Sequence, residues 1–260
     1  MMIWSETEAG RGSITVTVSD RTALLSDLSR RFDAGEGFSV ATLNLDHAVK
    51  LAQDPAFRAA YADQTHVTAD GNPIVWLSRL AGQPDVTLVP GSELIDPVAA
   101  LAAEKGVPVA LFGATDASLL AAAKALEARH AGLVITKTLA PPMGFDPNGA
   151  AADEAIQKIR DSDAGLVFLA LGAPRQEIFA ARAQAALSGI GFISIGAGLD
   201  FVSGAQRRAP KWVRALAAEW LWRMLGNPKR LAARYGACLL ILPSLTVRAL
   251  AARRRSRGAV

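Results

Sequence analysis

Acidic residues almost vanish from the end of this 260-residue chain. From Gln206 to Val260 there are 13 Lys or Arg and a single acidic residue, Glu219. That segment carries about +12, against about −8 for the rest, within a net +4. A mildly acidic body with a strongly basic end suits an anionic partner: a nucleic acid, an anionic membrane or a diphosphate-containing substrate. Cysteine is down to one, Cys238. This excludes an internal disulfide and fits a reducing compartment. Cys238 lies in an apolar run, which favours a buried, inert thiol over a nucleophile. Long apolar runs are also scarce. The longest, near Ala237 to Leu242, is interrupted by Pro243 and Arg248 and falls far short of the roughly 20 residues that span a bilayer. The N-terminus has no basic stretch leading into an apolar one, so no signal peptide is expected and the protein reads as cytoplasmic. His47, His66 and His130 lack metal-ligand spacing, so no metal site is expected.

What is present is a 51% hydrophobic composition, ample for one core with a terminal extension. Short β-branched or apolar runs at Ile14–Val18, Phe38–Leu45, His66–Ala69, Val107–Phe112, Leu133–Lys137, Leu166–Leu171 and Gly191–Ile195 read as strands. Between them, Ser92–Lys105, Asp116–His130, Ala150–Arg160 and Arg175–Leu187 have helical periodicity. The alternation predicts an α/β fold: a Rossmann-like, mostly parallel sheet with helices on both faces. The charge balance changes near Ser203–Gln206, which divides the chain into a core, 1–205, and a basic helical appendage, 206–260. Lys211–Leu225 and Pro228–Leu242 read as appendage helices joined at Gly226-Asn227-Pro228, with Asn227 as N-cap and Pro228 in the first turn.

In such a sheet, ligands bind beyond the carboxyl ends of the strands. Thr42-Leu43-Asn44, Asp70-Gly71-Asn72-Pro73, Gly113-Ala114-Thr115-Asp116, Pro141 to Phe145, Gly172 to Glu177 and Gly196 to Asp200 all fall there. Period-2 geometry puts Thr42 and Asn44 on one face. Glycines admit a ligand to the backbone, and helix N-termini bind phosphate. Each element also has a plainer reading. Gly113–Asp116 reads equally as an ordinary strand-to-helix turn. Asp70 fits a helix cap as well as a general base. Gly196-Ala197-Gly198 starts a dinucleotide pattern, but Phe201 stands where the third glycine belongs, which disfavours an NAD-type site. Asp161-Ser162-Asp163 has the DxD form of a metal–diphosphate clamp, yet it precedes a strand and so falls at the wrong end of the sheet. Any diphosphate is then left to protein cations, which the basic end supplies.

Taken together and in this order, these motifs resemble the WecG/TagA/CpsF family of bacterial glycosyltransferases. The matching positions run from about Val40 to Leu242. Leu171 to Glu177, Arg208-Ala209-Pro210-Lys211-Trp212, Glu219-Trp220-Leu221-Trp222-Arg223 and Pro228-Lys229-Arg230-Leu231 make the combination specific. The resemblance implies metal-independent, inverting transfer of a sugar from a UDP-sugar to a polyprenyl-diphosphate-linked saccharide in cell-surface or exopolysaccharide synthesis, without a cofactor. It implies Asp70 as general base and Thr42 and Asn44 as the polar pair near the reacting sugar. Gly113, Phe145 and Gln176 match positions lining the nucleotide-sugar pocket, and Asp200 is a further substrate-binding candidate. Arg223, Arg230 and Arg234 match appendage cations for the departing diphosphate, a task the guanidinium fork suits, and Arg208 is a further substrate-binding candidate. The chain departs from the family at Leu88, where Arg is usual, at Glu93, where Asp is usual, and at Ala218, where Gly is usual.

Trp212, Trp220 and Trp222 interleave with Lys211, Arg214, Arg223, Lys229 and Arg230, and Arg253-Arg254-Arg255-Ser256-Arg257 closes the chain. That mixture favours a lipid–water interface and predicts peripheral attachment to the inner face of the cytoplasmic membrane. The partners expected are the UDP-sugar, the lipid-linked acceptor and the anionic membrane surface, with a homo-oligomer left open. Nucleic-acid binding and a nucleotide-dependent oxidoreductase are the competing readings. The first lacks a recognised motif and the second a complete glycine pattern.

Overall fold

The structure is a computed structural model that describes residues 1–6, 13–206, 222 and 228–258. In chain order the elements are β1 (Ser5–Glu6), β2 (Ser13–Ile14), α1 (Arg21–Ala34), β3 (Phe38–Leu43), α2 (Leu45–Gln53), α3 (Pro55–Ala62), β4 (His66–Ala69), α4 (Asn72–Leu80), α5 (Gly91–Lys105), β5 (Val109–Gly113), α6 (Asp116–Arg129), β6 (Ile135–Leu139), α7 (Ala150–Arg160), β7 (Leu166–Ala170), α8 (Arg175–Ala186), β8 (Gly191–Ser194), α9 (Gly198–Val202) and α10 (Pro228–Gly258). Strands β3 to β8 form one sheet in the order β4-β3-β8-β7-β5-β6, with every neighbouring pair parallel. The expected α/β architecture is therefore present.

Apolar side chains leave the central strands in both directions, as a sheet covered on two faces requires. Phe38, Val40, Leu111, Phe168 and Ile193 pack with α1, α5 and α6. Ala110, Phe112, Val167, Leu169 and Phe192 pack with α7 and α8. At the β4 edge, Ala41, Leu43, Val67 and Ala69 meet α2, α3, α4 and the far half of α10. The chain leaves β5 outward to edge strand β6 but leaves β7 inward to β8. Adjacent strands whose crossovers diverge open a crevice at their carboxyl ends, which directs attention to Gly113 and Gly172.

Two segments differ from their sequence-based expectation. Ile14–Val18 was expected to be a strand, but only Ser13–Ile14 pairs as one, with Ser5–Glu6. The rest runs beside β4 without a ladder, because the Val67 N–H donates to the Thr17 hydroxyl at 2.8 Å instead of to a carbonyl. At the other end, Pro243 does not end the helix, and α10 runs 31 residues to Gly258, about 46 Å at 1.5 Å per residue. Tertiary burial outweighs the proline: Leu231, Cys238 and Leu245 recur every seventh residue on the buried side, joined by Ala249. The continuous helix also corrects the expectation that no apolar stretch is long enough for a bilayer. Among the described residues, Leu231–Ser256 meets that length and composition, with mean hydropathy 1.6. The expected Lys211–Leu225 helix and the turn at Gly226–Pro228 lie outside the described residues, apart from helical Trp222 and Pro228.

Candidate active site

Two parallel neighbours bring the first polar pair together. Leu43 of β3 lies opposite Ala69 of β4, so the next residue on each chain, Asn44 and Asp70, emerges at the same level of the rim. The Asp70 N–H donates to the Leu43 carbonyl at 2.7 Å, which fixes the turn. Asn44 is the N-cap of α2: its Oδ1 accepts from the His47 N–H at 3.0 Å. That cap orients the amide so that Nδ2 faces Asp70 Oδ2, at the long distance of 3.5 Å. Gly71, and not Asp70, is the N-cap residue of α4. Thr42 lies one residue further down, 4% exposed. It faces the start of α5, where a Cβ at Gly91 would come 2.6 Å from the Ser194 carbonyl oxygen and 3.2 Å from Thr42 Cγ2. Glycine at position 91 therefore lets that helix terminus close on β3 and β8.

Across the sheet, the strand-end loops converge on one side chain. Gln176, 2% exposed, accepts at Oε1 from the N–H groups of both Gly172 and Gly196, each at 3.2 Å. Its Nε2 donates to Glu177 Oε1 at 2.8 Å, which settles which way the amide points. Gln176 thus holds the β7 and β8 exit loops from beneath the rim. Gly113 lies beside them with φ +124, and a Cβ there would overlap the Ala170 backbone. Phe145 is 4% exposed and packs edge-on against Phe112 at 5.4 Å, so it supports the rim from within the core. Asp200, half-buried on α9, accepts from Gln206 Nε2 at 2.8 Å. The departures at Leu88 and Glu93 also fall near this end: Leu88 is exposed, and Glu93 in the first turn of α5 pairs with Arg21 at 3.1 Å.

Asn44 with Asp70, and Gly113 with Gln176, are therefore gathered along one edge of the sheet, while Thr42 and Phe145 sit just beneath. Of the appendage cations, Arg208 and Arg223 lie outside the described residues, and Arg230 is in α10 with its side chain outside them. Arg234 is placed: Nε meets Asp46 Oδ1 at 2.9 Å. Asp161-Ser162-Asp163 closes α7 before β7, at the amino end of the sheet, where the sequence put it. Among the described residues, no three His, Cys, Asp or Glu gather as a metal-binding group.

Sequence reasoning missed the buried polar layer under the rim. His47 Nδ1 lies 2.8 Å from the Tyr61 hydroxyl, and burial pushes the imidazole down to about 3, so it is neutral. Burial raises the Tyr61 phenol well above its ordinary value. Glu177 is fully buried, and burial lifts its carboxyl to about 7. Among the described residues, only one of its oxygens finds a hydrogen-bond partner. A helical spacing of four between Asp46 and Lys50 was the one signal in the sequence for this layer.

A model of the "Glycosyl transferase WecG/TagA/CpsF family" matches residues 12–259. The chain belongs to this family. It is thus a glycosyltransferase of the WecG/TagA/CpsF type, and the rim just described is where such a fold places its ligands. Three relatives carry the name N-acetylglucosaminyldiphosphoundecaprenol N-acetyl-beta-D-mannosaminyltransferase. The Bacillus spizizenii protein is 26% identical over 82% of this chain and 80% of its own length. The Bacillus subtilis protein is 24% identical over 82% and 81%. The Staphylococcus aureus protein is 28% identical over 64% and 63%.

Proposed function

We propose that this family member moves a sugar from a UDP-sugar to a polyprenyl-diphosphate-linked saccharide, with inversion and without a metal, in cell-surface or exopolysaccharide synthesis. The observation that carries the reading is the Asn44–Asp70 pair at the carboxyl ends of β3 and β4, where Gly71 takes the N-cap position of α4. The relatives' names support the acceptor class, since each specifies a GlcNAc joined through diphosphate to undecaprenol. The β linkage in those names is what inversion of an α-linked donor produces.

In the reaction, the acceptor hydroxyl oxygen attacks the anomeric carbon and Asp70 takes the hydroxyl proton. The bond from that carbon to the diphosphate oxygen breaks, and UDP leaves with the electron pair. A positioned base of this kind contributes about 10²–10⁴-fold. Asn44 holds the carboxylate in place and Thr42 borders the reacting sugar. Gly113 allows the nucleotide to approach the backbone, with Gln176, Phe145 and Asp200 shaping the same side. Arg208, Arg223 and Arg230 supply charge for the departing diphosphate, each through bonds that strengthen as it leaves. The segment from residue 206 onward is the membrane-facing appendage. Exposed Leu239, Leu240, Val247 and Leu250 on α10, together with Trp222, support attachment at the inner face of the membrane. The stripe of α10 packed on the core favours a peripheral arrangement over a spanning one.

The test is UDP release by the purified protein from a panel of UDP-sugars, with a short-chain polyprenyl-diphosphate-linked sugar as acceptor and EDTA present. Acceptor-dependent release that survives EDTA is expected for one donor. Loss of release with EDTA and recovery with a divalent cation would overturn the metal-free reading. Failure of every UDP-sugar, with no UDP binding, would remove the donor assignment.

A further inference from the structure

Asp46 carries two cations. Its Oδ1 lies 2.9 Å from Arg234 Nε and its Oδ2 lies 2.7 Å from Lys50 Nζ. The same Lys50 ammonium donates to the Ala173 carbonyl at 3.2 Å. Three elements thus meet at one carboxylate: the first turn of α2, the start of α10 and the loop after β7. The Asp46 side chain is 12% exposed, so both ion pairs gain from reduced solvent screening on the carboxylate side. Asp46 stands two residues after Asn44, in the helix that Asn44 caps, so the joint sits directly behind the Asn44–Asp70 pair. One helical turn beyond Arg234, Cys238 is buried in the same seam.

We infer that Asp46 is a positioning residue that docks the appendage helix onto the rim through Arg234, and that Arg234 is the anchor of this joint and not a ligand of the substrate diphosphate. An arginine already held by a mostly sequestered carboxylate would have to give up that pairing, and leave the carboxylate less well compensated, in order to reach a phosphate. Docked, it fixes where α10 begins relative to the rim. Lys50 extends the joint to the loop that Gln176 holds, so the appendage, the Asn44–Asp70 pair and the β7 exit loop share one charged contact.

The chain carries its own reporter, because its only cysteine is buried beside the joint. The thiol reacts with a maleimide or disulfide reagent only when α10 lifts from the core, so the labelling rate reads the opening. Asp46→Asn and Arg234→Gln are each expected to speed Cys238 labelling about two- to fivefold, the range of an ion pair with a partly exposed arginine, and to lower sugar transfer. The double variant should label no faster than Asp46→Asn alone, because that change already removes the Arg234 contact together with the Lys50 one. The conservative variant Arg234→Lys returns a cation opposite Asp46 without disturbing Lys50 and, compared with Arg234→Gln, should recover both thiol protection and transfer. Labelling unchanged in the single variants would overturn the docking role. Recovery of protection without recovery of transfer would overturn the anchor assignment and make Arg234 a direct phosphate ligand. The activity arm rests on the transferase reading, but the thiol arm needs no substrate, so failure of one is distinguishable from failure of the other.

Discussion

Replacing Glu177 by Gln should reverse part of the pH dependence of stability. Glu177 has no solvent exposure, and burial raises its carboxyl from the ordinary 4.5 to about 7, with the Gln176 bond and Lys50 opposing the rise and Asp46 adding to it. Between those values the folded protein keeps the proton that the unfolded chain has released. The unfolded state therefore binds fewer protons, and stability falls as pH rises through this window. The gap of about 2.5 pH units, at about 1.4 kcal/mol each, amounts to about 3 kcal/mol. Glutamine does not titrate, and its amide oxygen can still accept from Gln176 Nε2. For a chain of this size the difference corresponds to roughly 6–12 °C in Tm. His47 works with the opposite sign: buried and neutral down to about 3, it adds stability as pH rises from there toward its ordinary 6.5. It is present in both proteins, so only the difference between them isolates Glu177. The assay is thermal unfolding of wild type and Glu177→Gln at intervals from pH 4.5 to 8. The wild type should lose ground to the variant across that range and level off above pH 7. Parallel curves would refute the reasoning and mean that Glu177 ionises near its ordinary value.

Two further substitutions probe the rim and its buttress. Gln176→Met keeps volume but strands the Gly172 and Gly196 N–H groups, each at a cost of about 1–3 kcal/mol, and should lower Tm while raising KM for the donor; steady-state kinetics with varied donor checks it. Leu245→Ala, in the buried stripe of α10, should cost roughly 2–5 kcal/mol in urea unfolding and speed Cys238 labelling, since it empties a site shared with the β4 edge.

The strand ends were legible because most are short apolar runs leading into Gly, Asp or Asn, and the β5 to β8 ends fell within a residue or two of expectation. The pairing of Asn44 with Asp70 was not, since it depends on register between β3 and β4 and on a cap that turns the Asn44 amide. Gln176 was legible as a site residue by resemblance, but its work as a clip beneath two loops needs the fold to bring Gly172 and Gly196 together. Helix α2 hides its role because the local sequence around Asp46, His47 and Lys50 does not name their partners. Their partners, Tyr61 and Arg234, arrive from α3 and α10. Pro243 misled in the other direction: locally it ends a helix, but the seam made by Leu231, Cys238, Leu245 and Ala249 carries the helix through.

The central claim is that Asp70 is the base of a transfer reaction at the ends of β3 and β4. The most direct measurement is kcat for sugar transfer by Asp70→Asn beside wild type, with thermal unfolding of both. A loss of about 10²–10⁴-fold in kcat at unchanged Tm is expected. A folded Asp70→Asn protein that transfers sugar at the wild-type rate would contradict it.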